Sequence, residues 1–370
     1  MIHRQALDAV FSSVKPEKSL PIYGLVRKEE NLAYILNIGD EHQYLPFLGI
    51  VRFDYLFPEE GILCGHVQNG NLTLYYRENK KWQMTEQLVI DQQDVYKRTP
   101  FARKLMDRLK ESVVAIIGLG SGGSRMAVGL ARSGVSRFRL ADPDRLAVEN
   151  VSRHECTLLD LERYKVEAVK ERMFMINPGA EVLTFPCDVF NEEQAKESMF
   201  TGADLVISST DRKAVQMKVN EECFNRNIVG LFTGCYDEAR AGEILYVVPG
   251  KTIICYECLR GGSVQQRGPR KYDYSLARYH SDYMGEPGLN AAINQVTDIA
   301  EQYAIALLLR KEQCEISGLL DHRRNLLFIS SGLGKGFYYL RNTSCFTRPF
   351  EVIQPTIKEA WRSCSVCRQL

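Results

Sequence analysis

The sequence has almost no excess of either charge: 47 Lys and Arg face 46 Asp and Glu, a formal net charge of +1. Such a balance offers no broad basic face, so neither nucleic acid nor a membrane is expected as a partner. Long hydrophobic runs are missing too. The apolar stretch from Tyr303 to Leu309 falls far short of the ~20 residues a spanning helix needs. The opening MIHRQALDAVFSSVKPEK lacks the apolar core of an export signal, and a cytoplasmic location is expected. Without export, 11 cysteines, an odd number, make a poor disulfide framework. Internal repeats and low-complexity tracts are also absent.

What is present is ordinary globular material. Of 370 residues, 45% are hydrophobic and 25% charged, which suits about two domains with their own cores. The first hundred residues read as a small α+β unit. His3 to Val14 carries Leu7, Val10, Phe11 and Val14 at helical spacing. Short β-rich runs follow at Ile22–Val26, Leu32–Ile38, Phe47–Phe53, Ile62–Val67, Leu72–Tyr76 and Gln87–Ile90. Gln68-Asn69-Gly70-Asn71 reads as a hairpin, because Asn-Gly adopts positive φ readily. His42 and His66 stand alone, without acidic neighbours at metal spacing. Residues 1–97 are therefore expected to bind a substrate or partner and to perform no chemistry.

The texture changes after Ser112. Val113–Ile117 is an apolar run of the kind buried on both faces of a parallel sheet. A glycine turn and helix follow, then alternating strands and helices: Phe138–Ala141, a helix from Tyr164, Glu181–Phe185, Glu192–Phe200, Leu205–Ser208 and Lys213–Arg226. This alternation predicts a doubly wound, Rossmann-like parallel sheet over residues 98–370. Gly242–Val248 reads as a strand of the same or an adjoining sheet. Arg260 to Gly288 reads as a long crossover loop, and Ala291 to Lys311 as a helix.

Gly118-Leu119-Gly120-Ser121-Gly122-Gly123 fits G-x-G-x-x-G between a strand and a helix. Glycines let a phosphate approach the backbone, and the helix start offers unpaired N–H groups. Asp142 closes the next strand, where an acidic side chain can hold a ribose hydroxyl. These features alone would indicate a dinucleotide site.

The run after that strand, ADPDRLAVENVSRHECTLLDLERYKVEA, does not look like a dehydrogenase. It resembles the ThiF/MoeB superfamily, the ubiquitin-activating-type adenylating enzymes. Asp142 and Asp144 match the family's D-x-D pair, Asn150 and Arg153 its S-N-x-x-R-Q segment, and Asp160 and Lys165 its D-x-G-x-x-K segment. Asp211 matches the Asp after a later strand, and Asn220 a following Asn. Glu149 stands in place of Ser, His154 of Gln, Glu162 of Gly, and Arg212 and Gln216 where Asn and Arg are common. The nucleotide-handling set is intact.

The resemblance implies ATP-dependent adenylation of a C-terminal carboxylate on a ubiquitin-like protein or peptide. Arg153 and Lys165 would clamp phosphates, Asn150 would position them, Asp211 would hold Mg²⁺ and Asp142 the ribose. Gly118, Gly120 and Gly123 would approach the nucleotide with Asp144, and backbone at Asp188-Val189 would lie near the adenine. Dimeric members insert an arginine from the partner subunit; Arg98 is the first candidate in an expected homodimer, and Arg103 the second. The layout also resembles MccB-type peptide-adenylating enzymes, with an N-terminal unit, the adenylating domain and a terminal C-x-x-C. The alternative for Arg153, Lys165 and Asp211 is a surface salt-bridge set.

Cys255-x-x-Cys258 and Cys364-x-x-Cys367 together supply four thiolates, the donor set of a structural Zn²⁺. Unmetallated thiols are the alternative. The stretch from Arg260 to Gly288 contains no cysteine, which argues against a thioester; Cys235 is the nearest substitute and reads as a small buried residue. Three other functions stay open: an inactive ThiF-like scaffold, an activating enzyme that also forms a thioester, and a nucleotide-dependent oxidoreductase.

Overall fold

Val113–Ile117 becomes the third strand of an eight-stranded sheet, and its four buried side chains, Val114 to Ile117, alternate between two cores. This computed structural model describes residues 1–12, 19–27, 32–39, 46–52, 57–59, 61–68, 71–90, 95–236, 238–260, 287–332, 338–339, 343–344, 346, 348–356 and 364–367. The chain divides into two compact units, Met1–Pro100 with Asn177–Gly179 and Phe101–Ile176 with Ala180–Leu370.

The first unit contains β1 (Ile2–His3), α1 (Arg4–Ser12), β2 (Leu20–Arg27), β3 (Leu32–Ile38), β4 (Phe47–Arg52), β5 (Leu63–Gln68), β6 (Asn71–Glu78), β7 (Lys81–Met84) and β8 (Val89–Ile90). They make one mixed sheet in the order β7-β6-β5-β4-β2-β3-β1-β8. Helix α1 buries Ala6, Leu7 and Val10 against Ile22, Ile35 and Val51. Phe11 is exposed, and Val14 lies outside the described residues. Strands β5 and β6 pair antiparallel up to Gln68 opposite Asn71, the register a two-residue hairpin requires. Asn69 and Gly70 themselves lie outside the described residues, as does His42.

The second unit begins with α2 (Arg103–Glu111) and β9 (Val113–Ile117). It continues through α3 (Ser121–Arg132), β10 (Arg137–Ala141), α4 (Lys165–Ile176), β11 (Glu181–Phe185), α5 (Glu193–Phe200), β12 (Leu205–Ser208) and α6 (Lys213–Asn225). Then come β13 (Val229–Tyr236), β14 (Ala241–Val247), α7 (Tyr256–Arg260), α8 (Asn290–Leu308) and β15 (Leu326–Ser330). A small ribbon, β16 (Tyr338–Tyr339) with β17 (Thr343–Ser344), precedes β18 (Val352–Ile353). The sheet order is β11-β10-β9-β12-β13-β14-β15-β18.

Five strands from β11 to β13 run parallel, whereas β14, β15 and β18 are antiparallel. The sheet is thus doubly wound but not parallel throughout. The Gly242–Val248 strand belongs to the same sheet. Helices cover both faces. On one, Met126 and Leu130 of α3, Val166 and Val169 of α4, and Val296 and Ala300 of α8 meet Val114 and Ile116. On the other, Met199 of α5 and Val219 and Cys223 of α6 meet Ala115 and Ile117. The strand order reverses between β9 and β12, and such a reversal opens a crevice at the carboxyl ends of the strands.

The crossover segment expected between Arg260 and Gly288 lies outside the described residues from 261 to 286, with Arg267, Arg270, Lys271 and Arg278. Arg260 itself is described, and its side chain is engaged within the fold. Its guanidinium is buried in an ion pair with Glu243 of β14 and also donates to the hydroxyls of Tyr236 and Tyr256.

Candidate functional site

The glycine turn sits at that reversal, directly after β9. Gly118 has φ +89°, and a Cβ there would lie 2.7 Å from the Ser209 carbonyl oxygen. Gly120 is the N-cap of α3, offers no side-chain cap, and a Cβ on it would meet nothing within 4 Å. The first-turn N–H groups of α3 have no acceptor inside the helix. They lie at the positive end of a helix dipole, beside the open space at Gly120, a place suited to phosphate.

Asp142 follows β10 and is buried, with both carboxylate oxygens engaged. One accepts the Leu119 N–H at 2.7 Å and the other the Asp144 N–H at 2.9 Å. Burial raises its pKa above the usual carboxylate range, while nearby Lys165 opposes the shift. Asp144 is open to solvent and pairs at 3.1 Å with the Lys165 ammonium, which is itself largely buried. Lys165 opens α4. It is returned to this place because the chain doubles back: Glu162 N–H donates to the Leu146 carbonyl, Leu146 N–H to Arg163, and Lys165 N–H to Asp144. Arg145 lies 3.9 Å above the Tyr164 ring and closes the clasp.

Asn150 and Arg153 lie on the loop between β10 and α4. Asn150 Oδ1 accepts the Ala147 N–H at 3.1 Å. Arg153 is half-buried and lies against the returning end of the crossover, where a Cβ on Gly288 would be 3.5 Å from its Nη1. Asp188 and Val189 follow β11, Val189 buried and Asp188 accepting the Phe190 N–H. Asp211 is exposed beyond the end of β12, just before α6. Parallel strands thus bring the glycine turn, Asp142, Asp188 and Asp211 to one edge of the sheet. Arg98 occupies an exposed turn of the first unit, and Arg103 is exposed at the start of α2.

The substitutions at family positions acquire physical roles here. Glu162 holds φ +63°, a left-handed conformation that favours glycine. Gln216 is buried and donates to the Thr210 carbonyl, which fixes the segment beside Asp211. His154 is buried, with Nε2 at 2.8 Å from the Leu119 carbonyl and Nδ1 accepting the Cys156 N–H. Burial lowers its pKa to about 4. Sequence alone offers no sign of this contact, because spacing gives His154 a motif position but no partner.

The four cysteines converge. The sulfurs of Cys255, Cys258, Cys364 and Cys367 all lie within 4.8 Å of one another. Zn–S bonds of about 2.3 Å put the ligands of a tetrahedral site about 3.8 Å apart, so this cluster fits a zinc ion. A hydrogen bond from Cys255 is the main cause pulling the Cys258 thiol down to about 5, toward the thiolate a metal needs. Asn220 of α6 accepts the Tyr256 N–H at 3.0 Å and ties this knuckle to the helix behind Asp211. Cys235, expected to be buried, is exposed on β13.

A phosphate-ready glycine turn at the switch point of a doubly wound sheet, with a buried lysine returned to it, defines a nucleotide-binding α/β domain. Residues 95–330 match the ThiF family, and the chain belongs to that family. Ubiquitin-like modifier-activating enzyme 5 of Caenorhabditis elegans is 32% identical over 162 residues, 41% of this chain and 38% of the relative. The tRNA threonylcarbamoyladenosine dehydratase of Bacillus subtilis is 38% identical over 125 residues, 33% of this chain and 48% of the relative. The chain therefore spans less than half the length of these curated relatives. Crystal structures of E. coli MccB share the fold. One has a TM-score of 0.53 at 21% identity, with 71% of this chain and 67% of that one covered. A complex of MccB with ATP gives 0.51 at 20% identity, covering 71% and 68%. Among the described residues no helix is long and apolar enough to cross a membrane.

Proposed function

We propose that this protein adenylates the C-terminal carboxylate of a ubiquitin-like protein or a peptide. A carboxylate oxygen attacks the α-phosphorus of ATP, the bond to the bridging oxygen breaks, and acyl adenylate and pyrophosphate leave. Charge gathers on the phosphoryl group, so the protein contributes positioning and neutralisation. Arg153 and Lys165 supply the cations, Asn150 a polar contact, Asp142 an acceptor for the ribose, and Asp211 a ligand for Mg²⁺. The glycines admit the phosphates, and the Asp188-Val189 backbone borders the adenine.

One observation carries this reading. Lys165 is buried yet linked to the glycine turn by an unbroken chain: ammonium to Asp144, Asp144 N–H to Asp142, and Asp142 to the Leu119 N–H. A cation placed so close to a phosphate turn suits phosphoryl chemistry.

The N-terminal unit, residues 1–97, is the proposed substrate- or partner-binding module of a homodimer, and Arg98 is the proposed arginine inserted into the partner's site. The reading stops at the acyl adenylate because residues 260–288 contain no cysteine. The exposure of Cys235 is the observation that favours a thioester as the second reading.

Exchange of labelled pyrophosphate into ATP tests the proposal, using small proteins ending in Gly-Gly and short precursor peptides as substrates. Exchange that depends on a free C-terminal carboxylate is expected. ATP binding with no exchange for any of them would favour the inactive scaffold.

A further inference from the structure

Leu119, the residue between the first two glycines, has both backbone groups held by buried side chains. Asp142 accepts its N–H at 2.7 Å, and the His154 imidazole lies 2.8 Å from its carbonyl oxygen. The Cys156 N–H, 3.1 Å from Nδ1, makes that nitrogen an acceptor. The ring proton therefore sits on Nε2 and points at Leu119. His154 is also part of the turn that carries the two polar candidates, since its N–H and that of Arg153 both donate to the Asn150 carbonyl. The same loop is latched again one residue later. Glu155 donates its N–H to Ser124 Oγ at 3.5 Å and pairs with Arg125 at 3.3 Å, both on α3.

We propose that His154 is a positioning residue, a neutral strut that sets the glycine turn against the loop bearing Asn150 and Arg153 and so aims the α3 N–H groups and the Arg153 guanidinium at one phosphate chain. This rests on the nucleotide reading of the site. The geometry demands a neutral ring, because a proton on Nδ1 would oppose the Cys156 N–H. The charged groups acting on it agree in part: Lys165 disfavours protonation, Asp160 favours it, and burial outweighs both. A glutamine amide could make the same donation to Leu119, whereas leucine could not.

The test uses the full chain with ¹⁵N-labelled histidine. The His154 signal, assigned by its loss in His154→Gln, should report an Nε2–H ring that does not titrate between about pH 8 and 5. ATP affinity, measured calorimetrically, should fall about tenfold or more in His154→Leu and stay within about threefold in His154→Gln, the range of one hydrogen bond. An imidazole that titrates above about pH 6, or a folded His154→Leu that binds ATP like the parent, would overturn the proposal. If the leucine variant does not fold, the ring titration and the glutamine variant decide. A glutamine variant that folds but loses ATP binding would count against the strut. Absence of pyrophosphate exchange in the parent would count against adenylation alone, because the titration is read without substrate.

Discussion

Gly123 faces the carbonyl of Gly118 so closely that a Cβ on it would lie 1.9 Å from that oxygen. The helix start and the strand end therefore interlock through two glycines. Gly123→Ala should displace the turn and cost about 3 kcal/mol, as overpacking of a rigid contact does. Gly120→Ala meets no such wall and should change stability by no more than about 0.5 kcal/mol. Its methyl group would instead occupy the space over the helix start and weaken ATP by about tenfold. Thermal unfolding with and without ATP separates the two effects.

Charge neutralisation makes a sharper claim. Arg153→Ala, Lys165→Ala and Asp211→Asn should each reduce pyrophosphate exchange by about a hundredfold to a thousandfold, the scale of one lost electrostatic contact in a transition state. Circular dichroism should be unchanged. Exchange at the parental rate in any of the three would remove that residue from the site.

Glu162 carries backbone strain that its family position usually avoids. A non-glycine residue in the left-handed region costs about 1–2 kcal/mol, and glycine gives back about 0.5–1 in chain entropy. Glu162 is exposed and holds φ +63°. We expect Glu162→Gly to stabilise the chain by about 0.5–1 kcal/mol, read as a raised denaturant midpoint. A lower midpoint would mean that the side chain contributes more than its backbone costs.

Glu301 of α8 packs against Gly129 of α3 and accepts a hydrogen bond from Ser133 Oγ at 3.0 Å. Burial raises its pKa above the usual carboxyl range. Ionisation is therefore easier in the unfolded chain, and stability falls as pH rises from the ordinary carboxyl pKa through the raised one. Glu301→Gln keeps the acceptor for Ser133 and removes the charge. It should raise the melting temperature near neutral pH, with the gain vanishing at about pH 4. A gain independent of pH would rule out ionisation as its cause.

Purified protein should contain one zinc ion per chain, measured by emission spectroscopy. Cys364→Ser, or a strong chelator, should remove it and cost several kcal/mol of stability. Protein prepared under reducing conditions with no metal would refute the zinc assignment.

Much of this fold was legible because the residues that build it have one environment each. Val113–Ile117, Glu181–Phe185 and Leu205–Ser208 are bounded by turn or charged residues and match their strands at both ends. β13 and β15 were not foreseen. β13 is interrupted by Gly230 and Gly234, and β15 holds only four apolar residues, Leu326 to Ile329, after the polar run Asp321-His322-Arg323-Arg324-Asn325. Neither alternates, since most of their residues are buried and β15 is buried throughout. Periodicity likewise gave no hint that the sheet turns antiparallel after β13. At the site, residue type and spacing named the glycines and Asp142, and the family resemblance named the cations and the other carboxylates. They gave no sign that Asp142 and His154 grip the same residue, because that contact exists only after three segments meet.

The cysteine cluster joins residues 109 positions apart in sequence, Cys255 to Cys364. Its closure therefore obeys the order of synthesis. While the ribosome is still translating, the first pair can hold an ion with only half of its ligands. The glycine turn, β9 to β13 and α6 can already have formed. The last two ligands arrive only when residue 367 clears the exit tunnel. Capture of an ion by all four thiols would then record that the chain was made through that point. A truncated product would keep the nucleotide edge of the sheet but lack the completed knuckle on Asn220.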